Sequence, residues 1–197
     1  RRSLVRHLQS PVVNTSTLPD TPAQRKPAAG RAEQHSTRLL FLLAGFAAAA
    51  WASLVPVAKA ATGVNEGQLG LVLLCLGIGS LLAMPVSGVV STRHGCRKVL
   101  MVCGVALCVC LPLLASVQNV FTLAAALFFF GAMIGTFDCV MNIQAVIVAR
   151  DSKRPLMSGF HGFYSLGGLL GAATTSTIMD LGVSPFGTVS SIALAGV

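Results

Sequence analysis

Charge is what this sequence most lacks. Only 10% of its 197 residues are charged, and six of them are Asp or Glu. An average soluble domain carries about 25% charged residues. A water-solvated globule of this composition would lack the polar groups to cover its surface. Length alone, which would allow one or two soluble domains, is therefore a poor guide. Enzyme signatures are missing too: no Gly-x-Ser-x-Gly elbow, phosphate loop or zinc motif occurs. Asp138, His161 and Ser165 are the residue types of a catalytic triad, but their spacing does not support one, and no enzymatic activity is expected. The six cysteines lack metal-site spacing; Cys108 and Cys110 are two apart, with no His paired to them. Neither a metal nor another cofactor is expected. Five of the six cysteines fall inside apolar runs and read as small fillers between helices.

What the chain has instead is long apolar runs, with 54% hydrophobic residues. A helix rises about 1.5 Å per residue, so about 20 residues cross a hydrocarbon core about 30 Å thick. Runs of that kind cover residues 38–60, 67–90, 99–117, 120–149 and 156–181, and a sixth begins at 185 and is still incomplete at Val197. The fourth is long enough to tilt or project from the membrane. Lipid offers the backbone no hydrogen-bond partners, so such runs must be helical. The short connections between them predict successive helices packed as antiparallel neighbours. Residues 1–37, basic and rich in Pro, Ser, Thr and Gln, are expected to form a disordered cytoplasmic tail. Ala58-Lys59-Ala60 imitates a signal-peptide cleavage site, but the leader is far too long and further apolar spans follow. The chain opens on Arg-Arg and closes inside an apolar stretch, so a fragment is expected.

The net charge of +8 invites a nucleic-acid partner. The placement of the charges argues against one. Seven of the 14 Lys and Arg precede the first run; Arg93, Arg97 and Lys98 form a second cluster, and Arg150, Lys153 and Arg154 a third. Only Lys59 lies elsewhere. A nucleic-acid domain would carry a basic face beside a normal complement of acids. Here basic clusters punctuate apolar segments, as membrane loops do. If all five complete spans cross, the three clusters share one side, which the positive-inside rule makes the cytoplasmic side, with the amino terminus.

Glycine spacing predicts a packed bundle. Gly131-x-x-x-Gly135 and Gly167-x-x-x-Gly171 place small residues one turn apart, letting helices approach closely. Gly77 and Gly79, with Ser80, are expected to do the same in the second helix.

Asp138, near the middle of the fourth run, is the most informative residue. A carboxylate there costs about 2.5–3.5 kcal/mol on insertion scales, so it is retained where it faces a cavity, a partner or a proton path. Asn142, one turn on, shares its face, and Gln144 follows. That face reads as a cavity wall carrying a substrate- or proton-binding site; the plainer alternative is an acid paired with a neighbouring helix. His161 and Tyr164, three apart early in the fifth run, also share a face. They read as substrate or gating contacts, or else as amphipathic rings at headgroup depth. Ser165, Thr174, Thr175 and Ser176 are expected to hydrogen-bond between helices.

Gly88-Val-Val-Ser-Thr-Arg93-His-Gly95-Cys-Arg97-Lys98 resembles the signature loop of the major facilitator superfamily, Gly-x-x-x-Asp-Arg-x-Gly-Arg-Lys. Gly88, Arg93, Gly95, Arg97 and Lys98 match; Thr92 replaces the family's Asp and Cys96 one Arg, which removes the acid of the family's cytoplasmic gate latch. The segment from Met157 to Gly167, with Gly171, is similar to the fifth helix of bacterial permeases of the YbjJ type, near the fucose-permease branch. Asp138 followed by Asn142, and Trp51-Ala-x-x-x-Pro56, fit the same branch. In that branch the fourth-helix acid handles substrate and protons. Fucose permease has a further acid in its first helix, and this chain has none between Arg38 and Ala60.

The resemblance implies an all-α membrane protein: the amino-terminal six-helix half of a major facilitator superfamily fold, its sixth helix truncated. It implies a secondary transporter, or permease, of a small polar solute, sugar-like by branch analogy, working by alternating access with protons as the coupling ion. The expected surroundings are the cell membrane's lipid bilayer and a missing carboxy-terminal half, or a second copy. A truncated, non-transporting membrane fragment or a partner-binding helical bundle is the alternative.

Overall fold

The computed structural model describes residues 30–195. Six helices make up the fold: α1 (Arg31–Thr62), α2 (Glu66–His94), α3 (Cys96–Ser116), α4 (Val120–Ser152), α5 (Met157–Asp180) and α6 (Pro185–Ala195). The architecture is the all-helical one expected. The expected tail falls on residues 1–29, outside the described residues, and on residues 30–37. The latter are mostly the first turns of α1, with the Glu33 carboxylate accepting from the Gly30 N–H at 3.0 Å. Among the described residues, α1 to α4 are long and apolar enough to cross a membrane. Five such complete spans were expected. α5 has the length, at 24 residues. Its Ser, Thr and His side chains and its glycines dilute its apolarity.

Local chemistry sets the helix ends. Asn65 caps α2 reciprocally: its side chain accepts from the Gln68 N–H at 2.9 Å, and the Gln68 side chain accepts from the Asn65 N–H at 3.0 Å. Asn119 opens α4 by accepting from the Phe121 N–H at 2.8 Å. Between α2 and α3 a single residue turns the chain: Gly95, with φ 84° and ψ 144°, a conformation open essentially to glycine alone. Pro56, Pro85 and Pro112 sit inside α1, α2 and α3, as membrane helices tolerate when neighbours re-satisfy the backbone.

The main packing skips along the chain: α1 lies on α5 and α2 on α4, while α1 and α2 make little contact. The expectation of sequential neighbours therefore fails for the first hairpin. A short loop fixes a helix's direction; the size of the side chains on its faces decides what it packs against. Both principal pairs use one device. On α5, Gly167 and Gly171 lie against the backbone of Leu42 and Phe46, and Gly45 of α1 lies in turn against Tyr164 and Gly168. On α4, Gly131 and Gly135 lie against Leu76 and Ser80, and Gly79 of α2 against Phe128 and Ala132. A Cβ at Gly131 would stand 2.7 Å from the Leu76 carbonyl carbon, and one at Gly167 2.8 Å from that of Leu42. Gly77, expected to help, has nothing within 4 Å of such a Cβ.

In each pair the residue numbers rise together, so both pairs are parallel. The starts of α1 and α5 therefore share one end of the bundle, and the ends of α2 and α4 share one end. The short link from α4 to α5 joins the two sets. Arg31 and Arg38, the cluster from Arg93 to Lys98, and the cluster from Arg150 to Arg154 all lie at that end. Lys59 lies at the other, ion-paired with Glu66 across the α1–α2 turn.

The core is centred on α4, whose Leu123, Leu127, Phe130, Met141, Ala145 and Val148 are buried. α3 contributes Val99, Cys103, Leu107, Cys110 and Leu114 at helical spacing. Trp51 of α1 is buried with its ring 6.1 Å from that of Phe130. The outer faces are apolar as well: Leu71 and Leu81 of α2 are 67% and 69% exposed. Such a surface suits a bundle solvated by hydrocarbon. All six cysteines are free thiols, with Cys103 and Cys110 buried, as filler residues would be.

Candidate functional site

Next to the glycine contacts of α2 with α4 lies an open cavity of about 520 Å³. Met84 of α2 lines it together with Asp138, Cys139, Asn142, Ile143, Val146 and Ile147 of α4. Asp138 and Asn142 thus share a cavity wall, as their four-residue spacing predicts. Asn142 is held in place by its own helix, its side-chain Nδ2 donating to the Asp138 carbonyl at 2.9 Å. The Cys139 thiol, on the same wall, donates to the Met84 carbonyl of α2 at 3.9 Å.

α5 brings His161 and Tyr164 toward the carboxylate. Asp138 lies within electrostatic reach of both side chains, although neither lines the cavity. The His161 ring stands nearly perpendicular to that of Phe41, with centroids 5.3 Å apart. Phe41, fully buried, also stacks on Phe160 at 5.5 Å. The Tyr164 backbone is fixed by the contact of its carbonyl with Gly45. The α1–α5 clasp therefore sets where His161 and Tyr164 stand relative to Asp138. Nearer the basic end, the Arg38 guanidinium lies 5.9 Å from the Phe163 ring centroid, tying the starts of the same two helices together.

The signature-loop residues form a separate group. Gly88 and Arg93 belong to the last turns of α2, Gly95 to the turn, and Arg97 and Lys98 to the first turn of α3. Arg93, Arg97 and Lys98 are exposed. Among the described residues the recorded ion pair is Lys59–Glu66, so these three cations have no acidic partner within 4 Å. Thr92, standing where the family has Asp, turns its hydroxyl to the Val89 carbonyl at 2.8 Å.

The interhelical hydrogen bonds expected of α5 are absent at two positions. Ser165 donates within its own helix, to the His161 carbonyl at 3.2 Å. Thr175 is buried, with no partner for its hydroxyl among the described residues. Packing of small residues, not hydrogen bonding, holds α5 to α1 there. Sequence reasoning did not single out Met84, Cys139 or Phe41. Met84 joins the wall only because α2 pairs with α4 in one register, and Phe41 looks like any other apolar residue of α1. Among the described residues no cluster of His, Cys, Asp or Glu could hold a metal ion.

The chain resembles known proteins along nearly all of its apolar part. The sequence pattern of the Major Facilitator Superfamily matches residues 39–197. An uncharacterized MFS-type transporter of Yersinia pestis is 53% identical over 156 residues, covering 79% of this chain and 41% of that protein. The uncharacterized transporter y4wD of Sinorhizobium fredii is 36% identical over 133 residues, 68% of this chain and 35% of its own length. Membrane protein MosC of Rhizobium meliloti is 32% identical over 140 residues, 71% of this chain and 34% of its own. The chain thus spans about two fifths of the length of these curated relatives or less. No solved structure matches it. With a family match over residues 39–197 and four helices fit to cross a membrane, this chain is a multi-pass membrane protein and belongs to the Major Facilitator Superfamily.

Proposed function

We propose that these helices form the amino-terminal half of a secondary transporter that carries a small polar solute across the cell membrane by alternating access. The observation that carries this reading is the wall of α4. Asp138 and Asn142 face a cavity of about 520 Å³, with His161 and Tyr164 in electrostatic reach of the carboxylate. A carboxylate at mid-span is expensive unless it serves a cavity or a proton path. Asp138 is the group that binds solute or proton; Asn142 is a second polar contact; His161 and Tyr164 adjust the charge around the acid.

Substrate sites in such transporters lie near the midplane between two repeats that rock about them. The cavity here is bounded by one such unit, and a carboxy-terminal half, or a second copy, supplies the facing wall. The basic end is the cytoplasmic end, amino terminus included, by the positive-inside rule. Gly88, Arg93, Gly95, Arg97 and Lys98 form a gating loop there that lacks the family's acid. Asp138 followed by Asn142 supports a place near the fucose-permease branch.

Uptake into vesicles holding the full-length protein, screened over small solutes with and without a pH gradient, tests this. Gradient-driven accumulation that disappears in Asp138→Asn is the expected result. Uptake unchanged by Asp138→Asn would remove Asp138 from the mechanism.

A further inference from the structure

The lining of the cavity narrows the solute's chemistry. We propose that the α4 wall recognises an amphipathic organic cation: a solute with one positively charged nitrogen and an apolar body. This rests on the transporter reading above and names the substrate class for the same site.

The first ground is the balance of the wall. Recognising a polyhydroxylated solute such as a sugar takes several donors and acceptors, because each hydroxyl removed from water must be re-paired. The wall offers two polar side chains, Asp138 and Asn142. One N–H of the Asn142 amide is already committed to the Asp138 carbonyl at 2.9 Å, which leaves its second N–H and the amide oxygen. Around them stand the aliphatic and thioether surfaces of Met84, Ile143, Val146 and Ile147. Such a surface suits an apolar body and cannot re-pair a ring of hydroxyls.

The second ground is the sign of the charge. Acceptors outnumber donors among the polar atoms left to act: the carboxylate and the amide oxygen against one Asn142 N–H. They suit a donor or a cation and repel an anion. No Lys or Arg lines the cavity; the described ones lie at helix ends and turns. His161 and Tyr164 lie within reach of Asp138 but do not line the cavity. Asp138 is the one Asp, Glu, Lys, Arg or His of the lining, and a solute cation is its natural counter-ion. The third ground is size. The space of about 520 Å³, largely open on its outer side, has room for an organic solute rather than a bare ion, pockets for organic ligands holding about 300–1,000 Å³.

The test is equilibrium binding to the purified full-length transporter. The probes are benzyltrimethylammonium, tetramethylammonium as a cation without the body, and glucose as a neutral polyol. Benzyltrimethylammonium is expected to bind tightest and glucose weakest. Asp138→Asn, nearly isosteric, should weaken benzyltrimethylammonium by about thirtyfold, as loss of a desolvated charge partner does. Ile147→Ser should weaken benzyltrimethylammonium several-fold while leaving tetramethylammonium unchanged; a variant that merely misfolds would lose both. Glucose binding that depends on Asp138, cation binding indifferent to Asp138→Asn, or no cation binding at all would each overturn the proposal. Vesicle uptake separates the two readings. Asp138-dependent binding of the cation without transport would defeat the transporter reading alone. Asp138-dependent transport of glucose would defeat the cation alone.

Discussion

Replacing Gly131 or Gly167 with alanine tests how this bundle is held together. At Gly131 the new Cβ would stand 2.7 Å from the Leu76 carbonyl carbon and 2.8 Å from its Cα. At Gly167 it would stand 2.8 Å from the Leu42 carbonyl carbon and 2.9 Å from its Cα. Carbon atoms rest at about 3.5–4.0 Å, so each helix pair must part by about 1 Å, and a gap of that size forfeits a quarter to a half of each contact's dispersion well. The obstacles are backbone atoms, which no rotamer change can move aside. Overpacking of this kind costs about 1–3 kcal/mol, against a gain of up to about 1 kcal/mol from alanine's higher helix propensity. Gly70 and Gly77 are the controls, since a Cβ at either meets nothing within 4 Å. Thermal unfolding of the full-length protein, followed by size-exclusion fluorescence, reads the difference. Gly131→Ala and Gly167→Ala should melt several degrees below wild type; Gly70→Ala and Gly77→Ala should melt at or above it. If all four melted together, close backbone approach would not be what holds α1 to α5 and α2 to α4.

Phe41→Ala should cost about 3–5 kcal/mol, because its fully buried ring contacts both Phe160 and His161; Phe41→Leu should recover most of the loss in the same melting assay. Gly95→Ala should cost about 1–3 kcal/mol, since the φ of 84° and ψ of 144° there exclude side chains; unchanged melting would mean the α2–α3 turn has another conformation. Lys59→Ala should change stability by less than about 1 kcal/mol, because its partner Glu66 has a side chain 82% exposed. A larger loss would give the α1–α2 turn a role beyond closing the hairpin.

Much of this protein is legible in its residues alone. Lipid leaves the backbone no partner but itself, so an apolar run long enough to cross must be a helix. That physics places α2, α3 and α4 within a few residues of their observed bounds. It places α1 less well at its start, because helix continues into the polar residues Arg31 to Thr37, where solvent and backbone hydrogen bonds are both available. α5 reads as a span by length while its many small polar residues dilute its apolarity. The pairing of Asp138 with Asn142 on one wall is also legible, because a four-residue spacing is a property of one helix and needs no tertiary information.

The sequence by itself determined the membrane as solvent, the order of the helices, the grouping of the basic residues and the position of the mid-span acid. All of these follow from local spacing and from transfer between water and lipid. Only the tertiary structure decided which helices meet. Gly77 and Gly79 look alike in sequence, yet only Gly79 faces a neighbour's backbone. In lipid, apolar side chains are solvated equally well by neighbours and by acyl chains, so hydropathy does not tell the packed face from the bare one; the close fit of small residues does. That fit sets α2 on α4 and so brings Met84 to the wall of Asp138. It also sets α1 on α5, which holds His161 against Phe41 within reach of the same carboxylate.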